Sequence, residues 1–370
     1  MEPYICRNVD MSNSHMGESW LYVGLDLGER IWVAGVLDLR SCRYSSRKFD
    51  SGDVWRDCLN WLVEIKESEG CRIHVLYEAG RQGFELARQL RALEIEADLV
   101  AVSRLEKTRK KKRGRSDRMD AKALTYMDWT DARFPRVWVP SREQEGMRNL
   151  LMWEITLEKS LKQCRNRGLS ILARWGVRYD IRMSADRYKN LVAAIPASVI
   201  GDMDQLRLDC LSREADFLKG ELGKLHSVLS DHLESDSAIS KLMVWRGIGE
   251  KSARSLAWYI GDWHRFSNGG SFSAYCGLTS VHARSATSDI DKGISRSGHR
   301  ILRATLGQLA MLWQRWQPGC ELVIAASEKV TKGKAGRIAR TALARQLAVA
   351  LWKWMVYDEP IKGAIRKEKK

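Results

Sequence analysis

Several large protein classes are excluded by what this 370-residue chain does not contain. No run of eighteen apolar residues occurs, so no membrane span is expected. The first eighteen residues are polar and mixed, with no apolar centre of a secretory signal, and they read as a disordered leader. Eight cysteines (Cys6, Cys42, Cys58, Cys71, Cys164, Cys210, Cys276, Cys320) include no Cys-x-x-Cys pair, so zinc-site spacing is absent. Several lie inside apolar patterns, as reduced core residues of a cytoplasmic protein do. Acidic charge is also short: 46 Asp+Glu stand against 62 Lys+Arg, a net +16. Such an excess favours an anionic partner, by steering and counterion release, and nucleic acid is the first choice.

What is present concentrates in Lys107 to Leu124, KTRKKKRGRSDRMDAKAL. A dense basic run there ends on Asp117 and Asp120. On a helix, three-residue spacing puts both carboxylates on one face, roughly 5–6 Å apart at Cβ. Two ionised carboxylates that close repel, and burial raises one pKa unless a cation sits between them. Carboxylate oxygens are ligands for Mg²⁺, and the basic run suits a polyanion. The stretch points to metal chemistry on nucleic acid, with further ligands supplied from elsewhere.

Those ligands are sought at strand ends. WLYVGLDLG, IWVAGVLDL and CRYSSRKFD read as a meander of three strands from Trp20, with Asp26 near the end of the first and Gly28 after it. Residues 52–68 have helical spacing, and CRIHVLYEAG is an apolar strand delivering Glu78 at its end. GFELARQLRALEI reads as a helix and EADLVAVS as a strand. The order β-β-β-α-β-α-β followed by an acidic helix is the pattern of a ribonuclease H-like domain. Asp26 and Glu78 would then end adjacent strands, and Asp117 and Asp120 would face them. Four carboxylates could converge, as two-metal phosphoryl transfer requires.

Beyond RVWVPS the composition changes. Leu150, Trp153, Leu157, Leu161 and Cys164 follow helical spacing, and a second long helix is expected over about 203–235. The two suit an antiparallel coiled hairpin, a zipper onto another subunit, or an ordinary bundle. RGIGEKSARSLAWYI is a Gly-x-Gly turn opening a helix, a shape whose backbone N–H groups can meet phosphate. The segment from Ser271 to about Gly298 is polar and glycine-dotted, and it reads as a functional loop. A serine there could attack phosphorus and conserve the bond energy for rejoining. Chemistry alone does not separate Ser280, Ser285, Ser288, Ser295 and Ser297. Helices are expected at about 298–316 and 334–356.

GLDLG with Asp26, YEAG with Glu78 and SDRMDAKAL with Asp117 and Asp120 resemble the acidic tetrad of DEDD-type insertion-sequence transposases, the recombinases guided by a bridge RNA. RGIGEKSARSLAWYIGD, SAYCGL and DKGISRSGHRILRATL resemble that family's second conserved domain. The resemblance covers most of the chain from about 20 to 356. It implies an α/β plus α fold: a RuvC-like nuclease domain (19–135), a long-helix domain (136–236) and a mostly helical C-terminal transposase domain (237–360), with a basic tail at 361–370. It implies Mg²⁺ on the tetrad and Ser285 as nucleophile, although Ala286 replaces the family's glycine and Arg296-Ser297-Gly298 replaces Lys-x-Gly.

The resemblance further implies donor and target DNA, a structured guide RNA, and dimers assembling to tetramers. Arg104, Lys107, Arg109, Lys110, Lys111, Lys112, Arg113 and Arg115, with Lys251 and Arg296, are the expected nucleic-acid contacts. The leading expectation is an RNA-guided DNA transposase forming a phosphoserine intermediate. The alternative is a RuvC-like endonuclease using water, and a third reading is a non-catalytic nucleic-acid-binding regulator.

Overall fold

The computed structural model describes residues 20–101, 116–130, 136–180, 185–196, 199–233, 236–285, 288–294, 298–328 and 334–368. The chain divides into two compact units, Met1–Pro140 and Ser141–Lys370.

The first unit is a six-stranded mixed sheet built by alternation. Strands β1 (Trp20–Leu27), β2 (Trp32–Asp38), β3 (Arg43–Phe49), β4 (Arg72–Glu78), β5 (Glu96–Val100) and β6 (Arg136–Val137) lie in the order β3-β2-β1-β4-β5-β6. β1 pairs parallel with β4, and β4 with β5, whereas the other neighbours are antiparallel. Side chains alternate across a strand. Leu21, Val23 and Leu25 therefore share one face, where Cys58, Trp61 and Leu62 of α1 (Val54–Glu69) and Leu86 and Leu90 of α2 (Glu85–Ala92) complete a large core. Burial of each such leucine contributes about 1.5–3 kcal/mol. Asp53 caps α1 by accepting the Arg56 N–H (3.1 Å), and Gly70 ends it in the left-handed region at φ 56°.

On the opposite face lies α3 (Asp117–Thr130), whose Leu124 packs with Leu76 and Val100 in a much smaller cluster. The order β-β-β-α-β-α-β-α matches the expected pattern.

The second unit is mostly helical: α4 (Arg142–Arg174), α5 (Ala185–Ala194), α6 (Asp202–Asp231), α7 (Ser237–Met243), α8 (Glu250–Ile260), α9 (Gly269–Tyr275), α10 (Arg300–Trp316), α11 (Glu321–Glu328) and α12 (Lys334–Tyr357). A capping box of Ser141 and Gln144 starts α4. Leu151 and Leu157, early in α4, share a core with Leu222, Leu225 and Leu229, late in α6. Leu169 and Leu172, late in α4, meet Leu208, early in α6. The long helices thus pair antiparallel within one chain. Buried Glu154 of α4 joins them to α8, lying 3.2 Å from His226 Nε2 and 3.4 Å from Arg254 Nη2.

One segment differs from its expected form. The polar stretch read as a loop contains a two-stranded hairpin, β7 (Ser280–Ser285) against β8 (Ser288–Ile294). Among the described strands these two pair with each other as a separate two-stranded sheet. All seven described cysteines are free, and Cys58, Cys71, Cys164, Cys276 and Cys320 are buried. Among the described residues no helix is long and apolar enough to cross a membrane.

Candidate active site

The carboxylates are positioned by the sheet register. β1 and β4 run parallel with Leu25 opposite Tyr77, so Asp26 and Glu78 follow together at the C-terminal ends of neighbouring strands. Both are half-buried and line a cleft of about 510 Å³ with Leu27, Glu29, Ala79, Gly80, Arg81 and Gln82. Gln82 closes the floor by donating from Nε2 to the carbonyls of Leu27 (3.0 Å) and Gly28 (3.3 Å). Gly28 turns the chain back, its N–H donating to the Ile31 carbonyl at 3.1 Å.

Asp117 and Asp120 begin α3, and a close backbone approach sets where that beginning lies. Gly24 and Gly35 stand directly opposite in the β1–β2 ladder. Together they leave a slot on the face α3 covers. A Cβ on Gly24 would run into the Ala121 carbonyl oxygen and the Thr125 amide nitrogen, and one on Gly35 would lie 2.7 Å from Thr125 Oγ1. Into this slot Thr125 sinks completely. Its hydroxyl accepts the Gly24 N–H (3.1 Å) and donates to the carbonyl of Gly35 (3.0 Å) or Ala121 (2.9 Å). Each such bond contributes about 0.5–1.5 kcal/mol net. Gly24 and Asp26 point to the same face of β1. The latch therefore holds α3 with its first turn toward the Asp26 end of the strand.

Electrostatics report the result. Burial, then the carboxylates of Asp117, Asp120 and Glu78 in that order, push the Asp26 carboxyl up to about 6. All four acids are thus within electrostatic reach of one point. They are not drawn into a ligand cage: among the described residues, no group of three or more His, Cys, Asp or Glu side chains is gathered for a metal ion. A hard oxygen-only donor set that strains its own central acid fits a divalent cation such as Mg²⁺. Asp26, Glu78, Asp117 and Asp120 are the residues that could hold one.

In the second unit, Ser285 is the last residue of β7 and pairs with Ser288 across the hairpin end. Gly277 and Gly298 touch through their backbones where the chain enters and leaves the segment, and no side chain fits there. The His299 N–H donates to the Tyr275 carbonyl at 2.7 Å, closing that base. Its ring caps α10 by accepting the Leu302 N–H (3.4 Å). Burial and the neighbouring Arg148, Arg265 and Arg303 push His299 down to about 4, so the ring is neutral near pH 7. Lys251, in α8, gives its ammonium to both oxygens of Glu158 at 2.6 Å. Arg104, Lys107, Arg109, Lys110, Lys111, Lys112, Arg113, Arg115 and Arg296 lie outside the described residues.

The sequence pattern did not point to Thr125 and its two glycines. Glycine in a strand interior often marks a close approach of another backbone, and two in adjacent strands were the available signal.

Residues 239–323, which span α8 and the hairpin, match the family model described as "Transposase IS116/IS110/IS902 family". The chain is 28% identical over 380 aligned residues to "Putative transposase y4rJ" of Sinorhizobium fredii, covering 94% of each chain. It is 22% identical over 306 residues to "Putative transposase y4qE" of the same organism, covering 76% of this chain and 74% of the other. The chain is thus similar to transposases, to the family model over residues 239–323 and to one relative over most of its length.

Proposed function

We propose that this chain, with the similarity to IS110-family transposases as its premise, is an RNA-guided DNA recombinase. It cuts and rejoins strands through a carboxylate-bound Mg²⁺ and a serine nucleophile. The observation that carries this reading is the family match over 239–323, because it encloses Ser285 within a transposase segment. The crowding of acids around Asp26 supports the metal half independently.

In this reading Asp26, Glu78, Asp117 and Asp120 hold the cation. When bound, it withdraws charge from the scissile phosphate as a Lewis acid. Ser285 Oγ attacks phosphorus, losing its proton as the P–O bond to the departing strand breaks. The departing sugar oxygen takes up a proton. One phosphoester replaces another, so the hydroxyl of a second strand can reverse the step and rejoin DNA without nucleotide energy. The basic run 104–115 and Arg296 contact nucleic-acid backbone, while sequence is read by pairing with a guide RNA, and a dimer assembling to a tetramer brings two sites to two DNAs.

The test is the bond itself. The protein, co-expressed with its native flanking DNA, is incubated with Mg²⁺ and end-labelled DNA carrying the element junction, then run on a denaturing gel. Label shifted to protein size in wild type, and absent in Ser285→Ala, is the expected result. Cleaved DNA with no adduct and no effect of Ser285→Ala would overturn the serine mechanism in favour of water attack.

A further inference from the structure

At the end of the sheet away from Asp26 lies a second cleft, of about 460 Å³, that the proposed chemistry does not use. Its size is within the ~300–1,000 Å³ common for small-ligand sites. Trp20 and Tyr22 come from the start of β1, Arg72 and His74 from the start of β4, and Glu96 and Asp98 from β5. Asp128 and Trp129 end α3, and Arg136 comes from β6.

Floor and mouth differ in character. On the floor, His74 is hydrogen-bonded through Nδ1 to Asp128 (2.5 Å), with Nε2 3.5 Å from Asp98. Burial opposes its charge, but the two carboxylates outweigh that and raise His74 to about 9. Asp98 also takes Arg91 (3.5 Å) and Arg136 (3.0 Å). The floor's charges are therefore answered from within the protein. At the mouth stand the guanidinium groups of Arg72, Arg91 and Arg136, with side chains 55%, 45% and 55% exposed, against the single exposed acid Glu96. Half-buried Tyr22 and Trp129 supply the aromatic walls, and buried Trp20 backs them, stacked on Tyr22 at 6.2 Å with the Arg72 guanidinium 4.4 Å from its ring.

We infer that this cleft receives one unpaired nucleotide of a single-stranded nucleic acid, its base at half-buried Tyr22 and Trp129 and its phosphates at Arg72 and Arg136. Flat aromatic walls accept any base by stacking, and a cationic rim follows the backbone. A duplex offers no such base, because its faces and edges are already occupied. Guanidinium groups carry five N–H donors in a fork, so pairing with one carboxylate is compatible with binding a phosphate. The site needs neither Ser285 nor the metal, and it stands or falls separately from them. Both an RNA strand and a displaced DNA strand present this chemistry.

The test uses full-length protein and single-stranded 20-mers, one RNA and one DNA of matching sequence, each carrying a single 5-iodopyrimidine, with a duplex as control. Photocrosslinking followed by peptide mapping is expected to mark Trp129 or Tyr22 with the preferred single strand, and not with the duplex. Trp129→Ala and Arg136→Ala should each weaken single-strand binding by about ten-fold while changing duplex binding less than two-fold. Trp129→Phe, which keeps a stacking face, should restore most of the affinity and guards against a folding defect. The RNA and DNA arms identify which strand is held. Crosslinks elsewhere with both single strands, or equal losses for single strand and duplex in Arg136→Ala, would overturn the inference.

Discussion

One helix, α3, carries acids at both ends, and the two ends are wired oppositely. At its start, burial first, and then Asp117, Asp120 and Glu78, raise the Asp26 carboxyl to about 6. Near its finish, Asp128, whose side chain is only 2% exposed, sits against a histidine that holds its proton up to about 9. Burial also raises Asp128 itself, yet we assign the proton to His74, because two carboxylates flank that ring. The finish is complete without any added ion. The start is a concentration of like charge that an added cation would relieve. Acidic clusters thus say little until their surroundings are known: Asp26 faces other carboxylates, whereas Asp128 lies against a protonated histidine.

The largest effect expected is on chemistry at the start of the helix. Asp117→Asn and Asp120→Asn should each lower Mg²⁺-dependent strand cleavage by about 10²-fold or more while sparing nucleic-acid binding. Cleavage gels and filter binding on the same preparations check both halves. Full activity in both variants would dissolve the contrast between the two ends.

Next comes the latch that sets the start. Thr125→Val keeps shape but removes the hydroxyl, and with it the bonds to the Gly24 N–H and the Gly35 carbonyl. A loss of about 2 kcal/mol is expected in urea unfolding, with Thr125→Ser recovering most of it. Gly24→Ala should cost about 1–3 kcal/mol, since its Cβ meets backbone that has to shift.

Two pH dependences of opposite wiring follow. His74 has a raised folded pKa, so its contribution is full below about pH 6.5 and fades as pH rises through about 9. The stability gap between wild type and His74→Gln, on the order of 2 kcal/mol, should narrow across that window in denaturant titrations. Asp26 also has a raised pKa, and as an acid it is comfortable only when protonated. Its favourable contribution is full below its ordinary value near 3.8 and lost as pH rises through about 6. Without metal, Asp26→Asn should therefore be more stable than wild type at pH 8, by about 1 kcal/mol after allowing for its partial exposure, and not at pH 3.5.

The smallest effect concerns the basic run. Alanine at Lys110, Lys111, Lys112 and Arg113 should flatten the slope of log affinity against log salt by up to about 0.9 for each phosphate no longer neutralised. An unchanged slope would mean that these cations are a solvated face.

The first unit's element order and its strand-end acids were readable in the sequence, because buried strands announce themselves by apolar runs and Asp26 and Glu78 interrupt them at the right places. Thr125, Gly24 and Gly35 were not readable as a device. Their meaning depends on the strand register that sets the two glycines opposite each other, a relation between distant residues. His74, Asp98 and Asp128 escaped notice for the same reason, being separated by as many as 54 positions. The hairpin carrying Ser285 was hidden by its polar, glycine-dotted composition, which reads as loop.

The most direct test of the central claim is cation binding at the start of α3, measured by calorimetry with Mg²⁺ and by terbium luminescence at pH 7.5. Saturable binding in wild type, lost or greatly weakened in Asp26→Asn and Asp120→Asn but retained in His74→Gln, is the expected result. Equal binding by all four proteins, or none by wild type, would contradict it.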